Sequence, residues 1–353
     1  MHLAEPDERE AYRILDFALR TGEILLSGGA GAVDVTATTI ALAQACGLRS
    51  VVSEVTFTSI TLSYVRAPDV APVTSVRLVQ QRTPDYTRVT EIHNLVDDLV
   101  EQRITPATAM ARLDEVAHRR HPYPRWVVTA FRALLAAAVA GLLGAGVLVT
   151  GIAFATTVVV DRATGALSAR RLPDFYANAV GAAIATTVAV AVMVADLDVR
   201  PSLIVASGIV LLLPGVTLVG SVQDAISGFL LTASARAFEV FVLTAGIISG
   251  VAAVLSVADR FGVALTVTTQ PAGQLGDVPV QALAATVAAA AAAGASYAPR
   301  RALPIAGLAG LLAWGRSEHS ARPGSTRRCP PEGRRCCSAR APTCSPTTRR
   351  RRR

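Results

Sequence analysis

The sequence predicts an α+β domain followed by an α-helical polytopic membrane domain. Three observations carry this. The 353 residues are 52% hydrophobic with a mean hydropathy of +0.44, too apolar for a soluble chain of this size. The apolar residues are segregated, lying mostly between Trp126 and Trp314. The residues before Trp126 instead mix helical periodicity, β-branched alternation and turn signals. The expected division is a cytosolic α+β domain over residues 1–120, a transmembrane domain over 121–315 and a disordered tail over 316–353.

In the first domain, Glu8–Ser27 carries Ile14, Leu15, Ala18, Leu19, Leu25 and Leu26 at helical spacing. Gly28-Gly29-Ala30-Gly31 ends that helix. It lacks the Lys-Ser/Thr of a phosphate loop and follows no strand, so a C-cap and turn is the expected role. Asp34 opens a second helix to about Cys46. VVSEVTFTSITLSYV from Val51 and VTSVRLVQ from Val73 read as strands, with Pro68 and Pro72 between them. Tyr86 to Gln102 is an amphipathic helix, and Thr105-Pro106 is a cap followed by proline at the first helical position of another. The predicted order is α-α-β-β-β-α-α. His93, Asp97 and Glu101 share one helical face, but a solvated face explains them, since the apolar stripe lies opposite. No nucleophile elbow is present, and no cofactor is expected.

His118 to Trp126 (HRRHPYPRW) is a basic, aromatic, proline-stiffened approach to the first apolar run. Positive residues stay on the cytoplasmic side and aromatic rings sit at the interface, which fixes the N-terminus as cytoplasmic. Trp126–Val160 is too long for one span of about 20 residues, so a hairpin is expected to turn at Gly141–Gly146. Asp161–Pro173 is predicted as an inner loop and Asp174–Ala195 as a third span rich in small residues. The fourth span contains Pro214-Gly215, the fifth starts near Arg236, and Asp259–Asp277 is an outer loop. Val278–Ala298 and Ala302–Trp314 complete about seven spans of a multi-pass protein of the plasma (cytoplasmic) membrane.

The net charge of +8 does not describe the whole chain. From Arg316 onward twelve arginines face two acidic residues, leaving the tail at +10 and everything before it at −2. A nucleic-acid partner inferred from charge would rest on that tail alone, so none is expected. The tail holds Cys329, Cys336, Cys337 and Cys344 at irregular spacing with no histidine among them, which argues against a metal site. The chain contains no lysine and is rich in Ala, Arg and Gly, as high-GC genes encode. Arg/Pro/Ser/Cys text is what such a gene yields out of frame, and the tail is expected to be such a product. The N-terminal MHLAEPDERE is acidic and has no secretory core, so Cys46 is expected to be a reduced, buried thiol.

The stretch Pro201–Phe241 concentrates the chemistry. Its apolar run is interrupted by Pro214-Gly215 and then seeded with Ser221, Gln223, Asp224, Ser227 and Thr232, with Arg236 and Glu239 following. Proline removes a backbone donor, so the helix is expected to bend or break there. Broken helices with polar residues at membrane depth mark transporter sites, and ionisable residues in such helices are functional candidates. A structural kink with an interfacial helix is the competing reading. The candidate transport residues are therefore Pro214, Gly215, Ser221, Gln223, Asp224, Arg236 and Glu239. Asp224 would accept an ammonium or cycle a proton, and Arg236 would hold a carboxylate or pair with Asp224 or Glu239.

These residues carry a resemblance. GEILLSGGAGAVD over Gly22–Asp34, GLRSVVSEVTFTSITLSYV, TPDYTRVTEIHNLVDDLV, and LLPG over Leu212–Gly215 with Ser221, Asp224, Gly228 and Arg236 together resemble the threonine/serine exporter family, over about residues 10–315. The resemblance implies a cytosolic domain followed by about ten spans in two groups of five. It implies export of threonine and serine coupled to the proton motive force, with these amino acids and the bilayer as partners. This chain departs from that pattern by its smaller span count. A homo-oligomer is left open. A membrane-anchored enzyme with a hydrolase-like first domain, or a ligand-sensing regulatory protein, are the alternatives.

Overall fold

The computed structural model describes residues 7–67, 69–79, 83–196, 199–262 and 278–321. The described residues up to Gly315 form one compact unit; in its N-terminal α+β region, α1 spans Glu8–Ser27 and α2 Ala32–Ala45. Strands β1 (Val51–Val55), β2 (Ser59–Tyr64) and β3 (Val73–Leu78) follow, then α3 (Tyr86–Val100) and α4 (Pro106–His118). The sequence order holds, and its local causes are visible. Asp7 caps α1 by accepting from the Glu8 amide at 2.7 Å, and Asp85 caps α3 by accepting from the Arg88 amide at 3.1 Å. Thr105 caps α4, with Pro106 at the first helical position.

The three strands form one antiparallel sheet in the order β1-β2-β3. Central β2 alternates, burying Ile60, Leu62 and Tyr64. α1 and α2 cover that face, with α3 and α4 behind them. Leu15, Leu19, Leu25, Leu26, Leu42 and Ile92 close the core. Cys46 caps the end of α2 and is half-buried, and burial pushes its thiol up to about 11.

The remainder is helical: α5 Arg125–Leu142, α6 Val147–Ala169, α7 Asp174–Val194, α8 Pro201–Ile209 with a 3-10 turn at Val210–Leu212, α9 Gly215–Ile226, α10 Leu230–Arg260, α11 Val278–Ala295 and α12 Ala302–Ala321. Among the described residues five helices (α5, α6, α7, α10, α11) are long and apolar enough to cross a membrane, and six spans result if the bent α8–α9 pair counts as one. The segment expected as a seventh span does fold as α12, but it is not among these five; its end carries Arg316 and Glu318.

The hairpin turn at Gly141–Gly146 lies where the sequence placed it, with Gly144 at φ +76. The predicted inner loop Asp161–Pro173 does not: α6 continues through Ala169 and only residues 170–173 turn. Asp161 does not end the helix because it finds partners on α5. Most of the outer loop expected at Asp259–Asp277 and most of the tail lie outside the described residues.

Small residues let the helices approach. A Cβ on Gly208 would sit 2.9 Å from the Ala185 Cβ, and one on Gly250 only 2.1 Å from the Ala179 carbonyl oxygen. Large apolar side chains point outward instead: Phe238, Phe241, Ile248 and Leu283 are all more than half exposed, as a lipid-facing surface requires.

Candidate transport site

The helix breaks at Pro214 for a local reason. Pro214 has φ −79 and ψ 53, an inverse γ-turn, and the Gly215 amide donates to the Leu213 carbonyl at 2.8 Å. The ladder restarts with Leu218 N–H bonding Pro214 C=O at 2.9 Å, and the two halves meet at 54°. Pro214 is half-buried and Gly215 exposed, with open space around it.

Asp224 lies nine residues further along α9, about 14 Å from Gly215 at the helical rise. It is fully buried, against the N-terminal domain. Its Oδ1 accepts from the Ala32 amide at 3.0 Å. Gly31 is the N-cap of α2 and has no side chain to cap with, so Asp224 supplies the missing acceptor and a negative charge at the helix's positive end. Its Oδ2 is 3.2 Å from Nε of Arg236, itself 6% exposed. Neither atom has a hydrogen-bond partner of good geometry, so this contact is an ion pair set off the bonding axis. Arg236 also donates from Nη2 to the Ala30 carbonyl at 3.3 Å.

Other residues fix the junction. Ser221 donates to the Ala233 carbonyl at 2.9 Å, tying α9 to α10. Thr232 donates to the Val55 carbonyl of β1 at 3.2 Å, and Phe229 packs on the domain core. Gly220 makes room for the guanidinium, since a Cβ there would stand 2.4 Å from Arg236 Nη1. Of the predicted residues, Ser221, Asp224 and Arg236 thus come together. Gln223 is exposed at the rim facing Gly31. Glu239 is half-buried about one turn beyond Arg236 on α10, and Pro214-Gly215 lies at the far end of α9.

The depth of this junction follows from helix registry. Gly246 of α10 packs on the backbone of Phe175, and Gly250 on that of Ala179, so α10 runs parallel to α7 from its middle onward. The sixteen residues before Gly246 therefore extend about 24 Å past the start of α7. The Asp224–Arg236 pair belongs to that extension, beside the domain, rather than alongside the helix break.

A second buried carboxylate of the helical bundle went unrecognised in the sequence. Asp161 is 9% exposed; its Oδ2 accepts from Thr129 Oγ1 at 2.6 Å and its Oδ1 from Arg132 at 2.5 Å. The available signal was the polar pair Thr129 and Arg132, three apart on one face of an otherwise apolar helix. Asp161 borders a cleft of about 670 Å³, which Arg125, Arg132, Arg162, Thr83 and Tyr297 also line.

The α11–α12 turn closes this end of the bundle. Tyr297 has φ 55, and its carbonyl accepts from the Thr87 amide at 3.1 Å and the Thr87 hydroxyl at 2.6 Å. Its ring stacks on His121 at 4.7 Å, and His121 Nδ1 is 2.8 Å from Asp85 Oδ2. The surroundings over-determine the strained backbone. No group of three or more metal-ligating side chains occurs among the described residues.

This architecture, a bundle of apolar helices with one broken helix and an α+β region packed on its polar junction, is that of a multi-pass membrane protein. The family model ThrE, "Putative threonine/serine exporter", matches residues 16–258. The chain belongs to that threonine/serine exporter family. It is 39% identical over 315 residues to the "Probable threonine/serine exporter" of Mycobacterium tuberculosis, covering 87% of this chain and 59% of the relative. It is 33% identical over 312 residues to the "Threonine/serine exporter" of Corynebacterium glutamicum, covering 87% of this chain and 64% of that one. The chain therefore spans less than two thirds of the length of these relatives. No solved structure matches it.

Proposed function

We propose that the protein exports threonine, serine or a similar small amino acid across the cytoplasmic membrane, driven by the proton motive force. The observation that carries this is the family match, which runs continuously from the N-terminal domain through the broken helix and α10. The N-terminal domain faces the cytoplasm in this reading. Arg119, Arg120, Arg170, Arg171, Arg300 and Arg301 all fall in the connections on the domain's side of the bundle, as the positive-inside rule expects.

In this mechanism Pro214-Gly215 is the hinge. The proline has no amide to hold the break straight, and open space surrounds the glycine. Ser221, Gln223, Asp224, Arg236 and Glu239 form the junction that relays movement between the broken helix and the domain. Asp224 and Arg236 are enclosed by the domain's backbone, which favours coupling over direct substrate contact for this pair.

The test is efflux from proteoliposomes carrying the full chain and loaded with labelled threonine, with and without an imposed proton gradient. Gradient-dependent efflux that a protonophore abolishes is expected. Efflux indifferent to the gradient would remove proton coupling, and no efflux of threonine or serine would remove the substrate assignment.

A further inference from the structure

Resting on the exporter reading, we propose that the cleft beside Asp161 is a binding site for an α-amino-acid zwitterion, entered from the side of the N-terminal domain. The lining carries three arginines, Arg125, Arg132 and Arg162, and one acid, Asp161. Arg132 is engaged by Asp161. Arg125 and Arg162 are exposed and have no carboxylate partner among the described residues. The cleft thus holds two uncommitted guanidinium groups, whose planar forks match a carboxylate.

The acceptor side is equally built. Asp161 takes one bond on each oxygen, from Thr129 and from Arg132, while an ionised carboxylate offers about four lone-pair sites. Asp161 is itself part of the cleft lining, and its remaining acceptor capacity suits an ammonium group. Burial and the two existing bonds hold the carboxylate in one orientation, so the ammonium meets a preorganised acceptor. The volume, about 670 Å³, lies within the usual range for small-molecule sites. Thr83 of the domain and Tyr297 of the α11–α12 turn form part of the wall. Because Tyr297 is held by Thr87 and stacked on His121, occupancy of the cleft is linked to domain docking.

The experiment is thermal unfolding of the purified full chain titrated with L-threonine, L-serine, propionate and inorganic phosphate, and with phosphatidylglycerol micelles. Threonine is expected to raise the unfolding temperature of the wild type. Arg125→Gln/Arg162→Gln, which alters only exposed side chains, should raise the half-effect concentration at least tenfold. Asp161→Asn should do the same for threonine while leaving the weaker propionate response in place. Equal threonine responses in the wild type and the double variant would overturn the cleft as the site while sparing the exporter reading. No response of the wild type to threonine or serine would overturn the zwitterion assignment. A response confined to phosphate or the lipid, and dependent on Arg125 and Arg162, would replace it with a phosphate site while leaving the exporter reading to the efflux test.

Discussion

Asp224 and Asp161, the two buried carboxylates of the helical bundle among the described residues, share a partner type but not a setting. Asp224 and Arg236 are both nearly inaccessible, and their remaining partners are backbone groups of the N-terminal α+β region: the Ala32 amide and the Ala30 carbonyl. Asp161 is buried too, but its arginine is 38% exposed and a cleft opens beside it. An ion pair closed on all sides acts as a fastener, because moving either charge leaves the other stranded in a dry site. An ion pair with one wet side can exchange partners at little cost. Burial of the carboxylate alone would have ranked the two alike; accessibility of the partner separates a docking device from a binding site.

Neutralising each acid should separate the two pairs by the widest margin. Asp224→Asn leaves Arg236 uncompensated and should destabilise the docked state by about 3–5 kcal/mol. Arg132 can turn to water, so Asp161→Asn should lose only about 1 kcal/mol. Chemical denaturation with limited proteolysis of the 119–124 linker measures both; equal losses would erase the distinction. Next comes Gly220→Ala, whose Cβ would meet Arg236 Nη1 at 2.4 Å. Displacing the guanidinium should lower stability by about 1–3 kcal/mol, and the effect should largely vanish in an Arg236→Ala background. Additive losses in the double variant would show that Gly220 acts elsewhere.

Thr232→Val removes the single bond to Val55 and should lower stability by about 1 kcal/mol, seen as earlier exchange of β1 amides. The smallest effect is chemical. The Cys46 thiol, pushed from 9.0 up to about 11 by burial, should alkylate at pH 8 roughly a hundredfold more slowly than a free thiol. Its pKa is raised on folding, so its stabilising contribution is complete below pH 9.0 and is lost as pH rises through about 11. Peptide mapping of alkylated protein reads this at Cys46 separately from the tail cysteines.

What the sequence determined by itself was what local chemistry decides. Thr105-Pro106 announced the start of α4, the β-branched text from Val51 announced strands, the Gly141–Gly146 turn divided α5 from α6, and Pro214 broke its helix because proline has no amide to donate. Ser221, Asp224 and Arg236 were also legible as candidates, since polar side chains in apolar text are conspicuous. Their use was not. Nothing near Gly31 indicates that its helix is capped by a carboxylate 192 residues away, and nothing in the run after Val160 indicates that Asp161 stays inside a helix because Thr129 and Arg132 receive it. Tertiary structure decided these points for one physical reason. A buried charge takes whatever donors packing brings within about 3 Å, and which donors those are depends on how distant helices and strands come to lie together.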